Sequence, residues 1–500
     1  SLILPMRSRR RLRETAPPHW RDIVCGGICL KTGETRKVKE TNEMCDKKSK
    51  AKGVSPRLIH HGGVSRRGFL QGLVATGAVT TFGDVGDAVP AVRFGFITDC
   101  HYAAHIETNL LRNYRDGLLK MDAFAAKMNK LGADFVVEGG DFKDLGRTPD
   151  ESLEYLRAIE ARFAAFKGPR YHVLGNHDHD ITKTTDDRDA ARPYEAILGP
   201  ANYSFNLGNL HIVVVDDMIA PLVDGKISDS CKNGLTDEIW QWLQNDMAHV
   251  SKDKTIMLCA HSPMFRLLGG KERSGGHNHC SLNYVNPDDP VIETHVVTRV
   301  TGDLWTNEYL GSNGTPRGYV VFDYDAGSYN WHFKPIYYQG GAFTGTHGGG
   351  GKEPGYVYRD WDYDATGKAL MRSDGQPLDE SYQMQVFAPG TYGDDYLYVN
   401  IFLWDELWDM PKFTFNGVPK KMTRVVAADT QANEKRYSYA NREIKEFYKE
   451  NNSYLKSSTY GFDPTNVESM FRVFVESEHG SGTVSVKDRF GNTYTSKIVW

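Results

Sequence analysis

Apolar positions along this chain change period repeatedly, and the changes mark its elements. Residues 92–98, 135–137, 171–174, 211–215 and 255–259 are short apolar runs bounded by polar or turn residues, the pattern of buried strands. Between them the period lengthens to that of a helix over residues 109–131, and again over 235–250 around Ile239, Trp240 and Trp242. Thr148-Pro149-Asp150-Glu151 has the form of a helix start, with a threonine cap, a proline at the first position and a glutamate able to reach back. Leu153, Leu156, Ile159 and Phe163 keep one face of that helix apolar. Strands alternating with helices predict a layered α/β domain.

Each of these strands except the fourth is expected to run directly into a loop carrying His, Asp or Asn. Ligands of open α/β sheets gather beyond the carboxyl ends of the strands, so these loops should converge on one crevice. Strand-like alternation resumes over residues 294–301, 318–323 and 329–338, enough to complete the same domain. Residues 339–355 are dominated by glycine and read as a flexible connector. Beyond them, residues 383–389, 395–404, 412–416, 470–476 and 483–488 alternate as strands, and residues 488–498 read as a terminal hairpin.

Composition narrows the class. The 500 residues are 40% hydrophobic and 25% charged, which excludes a collagen, a disulfide miniprotein and a mainly disordered chain. No stretch reaches the roughly 18 uninterrupted apolar residues of a spanning helix, so no transmembrane anchor is expected. The net charge of -4 hides an asymmetry: residues 1–67 hold 17 Lys and Arg against 6 Asp and Glu, leaving the remainder at -15. So acidic a body is a poor ligand for nucleic acid. A phosphate-bearing substrate would need local positive charge, which a metal ion can supply.

The basic opening leads into Ser65-Arg66-Arg67-Gly68-Phe69-Leu70-Gln71 and a mild apolar run over residues 72–82, with Ala88 and Ala91 as cleavage points. This resembles a twin-arginine signal, which implies export of a folded protein by the twin-arginine machinery to a bacterial periplasm or the medium. The preceding 64 residues exceed an ordinary n-region and the chain begins at Ser1, so an upstream extension or a misplaced start is expected. Cys100, Cys231, Cys259 and Cys280 follow the signal, an even number that fixes no pairing.

Five short blocks carry the chemistry: Asp99-Cys100-His101, Gly140-Asp141-Phe142-Lys143-Asp144, Gly175-Asn176-His177-Asp178, Ala260-His261 and Gly276-His277-Asn278-His279. In this order they resemble the calcineurin-like metallophosphoesterases, whose motifs run D-x-H, G-D-x-x-D, G-N-H-D/E, H and G-H-x-H. The resemblance implies a four-layer α-β-β-α sandwich followed by a small β-sandwich domain, as in some exported bacterial phosphoesterases. Its organisation would be a basic extension and signal over residues 1–91, the phosphoesterase domain over 92–338, a Gly-rich linker over 339–356 and a β-rich domain over 357–500.

Two ions about 3.5–4 Å apart can clamp a phosphoryl group and generate hydroxide near neutral pH, which calls for a bridging carboxylate. The resemblance gives that role to Asp141, with Asp99, His101 and His279 on one metal and Asn176, His261 and His277 on the other. Mixed imidazole and carboxylate ligands suit Mn, Fe or Zn. His177 would protonate the leaving oxygen, oriented by Asp144 or Asp178, with Asp144 favoured. The implied activity is hydrolysis of a phosphoester or phosphoanhydride by metal-bound hydroxide. Residues 94–102, with Tyr114-Arg115, are also similar to manganese-dependent ADP-ribose and CDP-alcohol pyrophosphatases. Substrates therefore include a phosphorylated small molecule, a nucleotide-like diphosphate and a phosphorylated glycan or lipid. One departure stands out: only sixteen positions separate His261 from His277, where family members usually place a helix and a strand. That keeps a second reading open, a weakened phosphatase scaffold acting as a cell-surface or glycan-binding protein.

Overall fold

The structure, a computed structural model, describes residues 91–104, 117–180, 186–223, 226–227, 231–251, 254–262, 282–285, 293–300, 315, 317–325, 328–336, 383–390, 394–425 and 469–500. The twin-arginine segment, the Gly-rich stretch, Cys280, His277 and His279 lie outside the described residues.

Two packed sheets, flanked by helices, position the site. The first sheet is built from β1 (Val92–Ile97), β2 (Phe135–Glu138) and β3 (Arg170–His172). β1 to β2 and β2 to β3 are parallel pairs, with Ile97 level with Glu138 and Glu138 level with His172. The second sheet holds β4 (Tyr203–Leu207), β5 (Leu210–Val214) and β6 (Thr255–Cys259), with β5 and β6 parallel and β4 antiparallel to β5. The sequence reading missed β4. Its signal was the Gly208-Asn209 turn, where Gly208 has φ 56° and Leu207 pairs with Leu210.

Both faces of the first sheet are buried, and each has its own partner. Phe94, Phe96, Phe135 and Val137 face Ile212, Val214 and Met257 of the second sheet. Phe94 stacks between Phe135 and Phe322, at 4.6 and 4.9 Å between ring centroids. On the other face Ile97, Val136 and Val321 meet α1 (Gly117–Leu131) and α2 (Pro149–Phe163) through Met121, Phe124, Leu156, Ile159 and Phe163. The Thr148 hydroxyl caps α2 by accepting from the Glu151 N–H at 3.2 Å, but the Glu151 carboxylate reaches Arg147 N rather than the cap residue. Tyr155 joins the buried face of α2, and Leu153 is only half buried. Two helices follow, α3 (Asp187–Leu198) and α4 (Asp237–Met247). α4 is shorter than the pattern predicted and packs on the second sheet through Leu243 and Met247, with Ile239, Trp240 and Trp242 half buried. The layers thus run helix, sheet, sheet, helix.

β7 (Leu282–Val285) pairs with β8 (Glu293–Val296), and β9 (Gly318–Asp325) with β10 (Ser328–Pro335) extends the first sheet antiparallel beside β1. The rest of the chain is β-rich, in two four-stranded antiparallel sheets. One contains β11 (Met384–Phe387) and β12 (Tyr396–Ile401), then β16 (Met470–Phe474) and β15 (Thr423–Arg424). The other contains β14 (Val418–Lys421), β13 (Lys412–Phe415), β17 (Ser481–Lys487) and β18 (Thr493–Val499), the last two forming the terminal hairpin.

This β-rich region shares a continuous apolar core with the phosphoesterase-like layers, where Trp331 stacks on Trp408 at 5.6 Å. Its hairpin turn also sends Arg489 onto Glu293 of β8, gripping both carboxylate oxygens, with Asp405 3.4 Å from the guanidinium Nε. Burial alone would raise the Glu293 pKa, but the hydrogen bonds from Arg489, with the His295 ring close by, outweigh it and hold it at about 2. A carboxylate depressed in the folded state stabilises above its unfolded value and loses that contribution as pH falls through the folded value. The full contribution, on the order of 3 kcal/mol, is therefore present above pH ~4.5 and disappears toward pH ~2. Arg489→Ala should cost about 3–5 kcal/mol at neutral pH and flatten the loss of stability between pH 4.5 and 2. Urea unfolding at a series of pH values checks both; parallel pH curves for the two proteins would contradict it.

Candidate metal centre

The parallel register sets the loops after β1 and β2 level, and backbone bonds then zip them together. Asp99 N donates to Gly140 O, His101 N to Asp141 O and Asp144 N to Tyr102 O, at 3.0, 2.8 and 2.9 Å. Asp99, His101 and Asp141 all take left-handed backbone angles, with φ of 55°, 46° and 54°. Such angles cost non-glycine residues about 1–3 kcal/mol each and persist only where surroundings impose them. Their effect here is to turn three donor side chains into one buried space.

Asp141 lies at its centre. Its Oδ2 is 3.3 Å from His101 Nε2 and 3.2 Å from His261 Nε2, and its Oδ1 accepts the His177 backbone N–H at 2.8 Å. Asp99 Oδ1 is 3.7 Å from His101 Nε2, while Thr98 Oγ1 donates to its other oxygen at 2.8 Å. Candidate ligand atoms of Asp99, Asp141 and His261 lie within 4.8 Å of one another, as do those of His101, Asp141 and His177. Burial would raise the Asp141 pKa, yet the imidazoles of His261, His177 and His101 outweigh it and hold this carboxyl well below the usual carboxylate range.

The tautomer of His261 follows from its partner. Its Nδ1 lies 3.0 Å from Gly139 O, a carbonyl that can only accept, so Nδ1 carries a hydrogen and Nε2 is the nitrogen left to face Asp141 and a cation. Asn176 is buried, and its Oδ1 has no hydrogen-bond partner among the described residues. A buried amide oxygen in that condition, next to carboxylates and outward-turned imidazole nitrogens, fits a cation and fits little else. Two glycines make the approach possible. A Cβ on Gly175 would stand 2.1 Å from Asp141 N, and one on Gly140 (φ +97°) would stand 2.5 Å from His261 Nδ1.

His177 stands at the edge of this cluster, its ring edge-on to His101 at 4.6 Å. Its Nδ1 lies 2.9 Å from Asp144 Oδ1. Burial lowers its pKa, but Asp144 and Asp141 outweigh that and push it up to about 9. Asp178 sits elsewhere, accepting the backbone N–H groups of Gly175, Phe142 and Lys143 at 2.9, 3.4 and 3.3 Å. Lys143 Nζ donates to His177 O. Asp178 thus ties the third loop to the second, and it is Asp144 that touches the imidazole.

The sequence reading passed over Asp216 and Asp217, treating the fourth strand as one without a polar loop. β5 in fact ends in this acidic pair, the same strand-end signal as the other blocks. Asp217 accepts the backbone N–H groups of His261 and Ser262 at 3.0 Å each, so it sets the direction of the His261 loop.

Residues 92–298 match the family described as calcineurin-like phosphoesterase, and residues 294–494 match the family described as the C terminal of calcineurin-like phosphoesterase. Together the two matches span most of the chain, which belongs to the calcineurin-like phosphoesterase superfamily. Among curated relatives, it is 32% identical over 93 residues to a manganese-dependent ADP-ribose/CDP-alcohol diphosphatase of Arabidopsis thaliana, covering 18% of this chain. The chain matches only 30% of that relative's length. Among solved structures, a dimetal phosphatase from Danio rerio aligns at 14% identity and a TM-score of 0.34, over 49% of this chain and 99% of that one. A purple acid phosphatase from yellow lupin seeds aligns at 12% identity and a TM-score of 0.32, over 50% and 53% of the two chains.

Asp217→Ala would strand two buried N–H groups, at a cost of about 1–3 kcal/mol each, and release the His261 loop. The expected result is a lower melting temperature together with at least a roughly tenfold weaker affinity for Mn or Zn, the scale seen when partners of metal ligands are removed. Metal titration by calorimetry reads the second effect; unchanged affinity would mean that Asp217 only stabilises the fold.

Proposed function

We propose that this chain is a dinuclear-metal hydrolase of phosphoesters or phosphoanhydrides. The observation that carries the reading is the buried Asp141 carboxylate, whose Oδ2 faces imidazole nitrogens from two separate loops at 3.3 and 3.2 Å. That is the position from which one carboxylate can serve two cations. Asp99, His101 and Asp141 would hold one ion and Asp141, Asn176 and His261 the other, with His277 and His279 completing the set as the resemblance implies. Two such ions, when bound, supply Lewis acidity toward the phosphoryl oxygens and acidify a water.

The remaining work falls to this chain's own groups. Asp144 accepts from His177 Nδ1 and thereby fixes the ring, which directs Nε2 away from the carboxylate. The backbone N–H of His177 is pinned to Asp141 Oδ1, so the imidazole cannot drift from the metal bridge. From there His177 delivers a proton to the departing oxygen, so a poor leaving group need not depart as a bare anion. The acidic body supports a small phosphorylated substrate over a nucleic acid. Likeness to the diphosphatase, over a small part of its length, favours a nucleotide-like diphosphate among these. The Arg66-Arg67 segment supports a periplasmic or secreted location through twin-arginine export.

Asp141→Asn should abolish hydrolysis of a bis-aryl phosphodiester or an activated aryl phosphate by the Mn- or Zn-loaded protein. Activity equal to wild type in that variant would reject the reading. His177→Gln should lose roughly 10²- to 10⁴-fold on substrates with poor leaving groups and markedly less on an activated aryl phosphate, which departs without a proton. Comparing the two substrate classes in steady-state assays checks this. Equal losses would assign His177 to binding. A panel of mono-, di- and pyrophosphates then locates the substrate.

A further inference from the structure

A second group of donor side chains lies beside the first but belongs to none of the motif positions. His179 follows the Gly175–Asp178 block and is fully buried. Its Nδ1 is 3.2 Å from Gly175 O. A carbonyl only accepts, so this bond places a ring hydrogen on Nδ1 and leaves Nε2 to face the other way. Nε2 makes no hydrogen bond among the described residues and points toward two carboxylates. Asp187, in the first turn of α3, brings Oδ1 to 3.5 Å from it. Asp216, just past β5, completes a set whose candidate ligand atoms all lie within 4.8 Å of one another.

Two carboxylates crowded around one buried imidazole call for positive charge between them, carried by a proton on the ring or by a cation in its place. Asp216 is 5% exposed, and burial pushes its pKa up to about 6. The largest charge effects on it come from His179, Asp187 and Glu195. Both carboxylates are nonetheless held in place by the backbone, Asp187 Oδ1 by Ala220 N at 2.6 Å and Asp216 Oδ1 by Met218 N at 3.0 Å. Two ligands on one tetrahedral ion at about 2.1 Å stand about 3.4 Å apart, close to the 3.5 Å separating His179 Nε2 from Asp187 Oδ1.

We infer that His179, Asp187 and Asp216 form a mononuclear site for a first-row divalent cation such as Mn²⁺ or Zn²⁺, separate from the pair around Asp141. One imidazole with two carboxylates matches such ions. The site joins three elements, the Asn176 loop, the start of α3 and the end of β5. Through the His179 bond to Gly175 O it braces the backbone that presents Asn176 and His177. The inference stands independently of the phosphoesterase reading, since none of its three ligands takes part in the proposed hydrolysis.

The test is a metal count on the full chain, saturated with MnCl₂ or ZnCl₂, desalted and read by plasma mass spectrometry. Asp187→Asn and His179→Gln should each bind one ion per chain fewer than wild type and lose part of the metal-induced rise in melting temperature. Equal metal content in wild type and in either folded variant would overturn the site and leave an imidazolium–carboxylate pair. Anomalous scattering from crystals of the wild-type protein needs no variant. A Mn or Zn peak within bonding distance of His179 Nε2 supports the site, and its absence at saturating metal overturns it. Activity of Asp141→Asn separately reports on the phosphoesterase reading, so the two can fail independently.

Discussion

Everything in the central crevice is arranged around one buried carboxylate. Asp141 is almost wholly removed from water, and a bare carboxylate there would carry a penalty of several kcal/mol. Its neighbours offset that penalty from three directions, through the imidazoles of His101 and His261 and the backbone N–H of His177. Each contact also fixes a loop. The His101 contact locks the turn after β1, that of His261 the turn after β6, and the N–H bond the segment after β3. A charge that must be matched therefore gathers strand ends from two sheets into one pocket.

Around this centre, carboxylates act on backbone rather than on ligands. Asp178 collects three N–H groups from two loops, Asp217 two from the His261 turn, and Glu138 Oε1 one from Gly140 at 2.9 Å. The strained angles at Asp99, His101 and Asp141 survive because these bonds leave the chain no relaxed alternative. Loop precision here comes from peptide groups held by buried acids, and burial makes each bond costly to break.

Much of this was legible in the sequence because two periodicities carry it. Apolar runs such as residues 255–259 define buried strands, and a polar residue immediately after such a run must lie at the sheet edge where ligands collect. That logic located Asp99, His101, Asp141, Asn176, His177 and His261, and the structure gathers the segments that carry them. It failed at β4, whose positions are mostly half buried, so hydrophobicity alone marked it weakly. It also failed at Asp216 and Asp217, because no histidine accompanied them to draw notice. The roles of Asp144 and Asp178 were not separable by spacing either. Asp178 adjoins His177 in sequence while Asp144 closes the preceding block, and only the fold decides that Asp144 meets the ring while Asp178 folds back onto amides.

The Arg489 grip on Glu293 has a consequence for how this chain can be divided. The guanidinium comes from the turn between β17 and β18, and the carboxylate from a strand some two hundred positions earlier, so the clasp closes only once the later β-rich segment has been made. Until then Glu293 lacks the cation that makes its burial tolerable. Removing the hairpin that carries Arg489 would thus strip a counter-ion from a buried carboxylate of β8. The β-rich tail is in this sense a keystone, and a protease that clipped it would be expected to unseat the catalytic half as well.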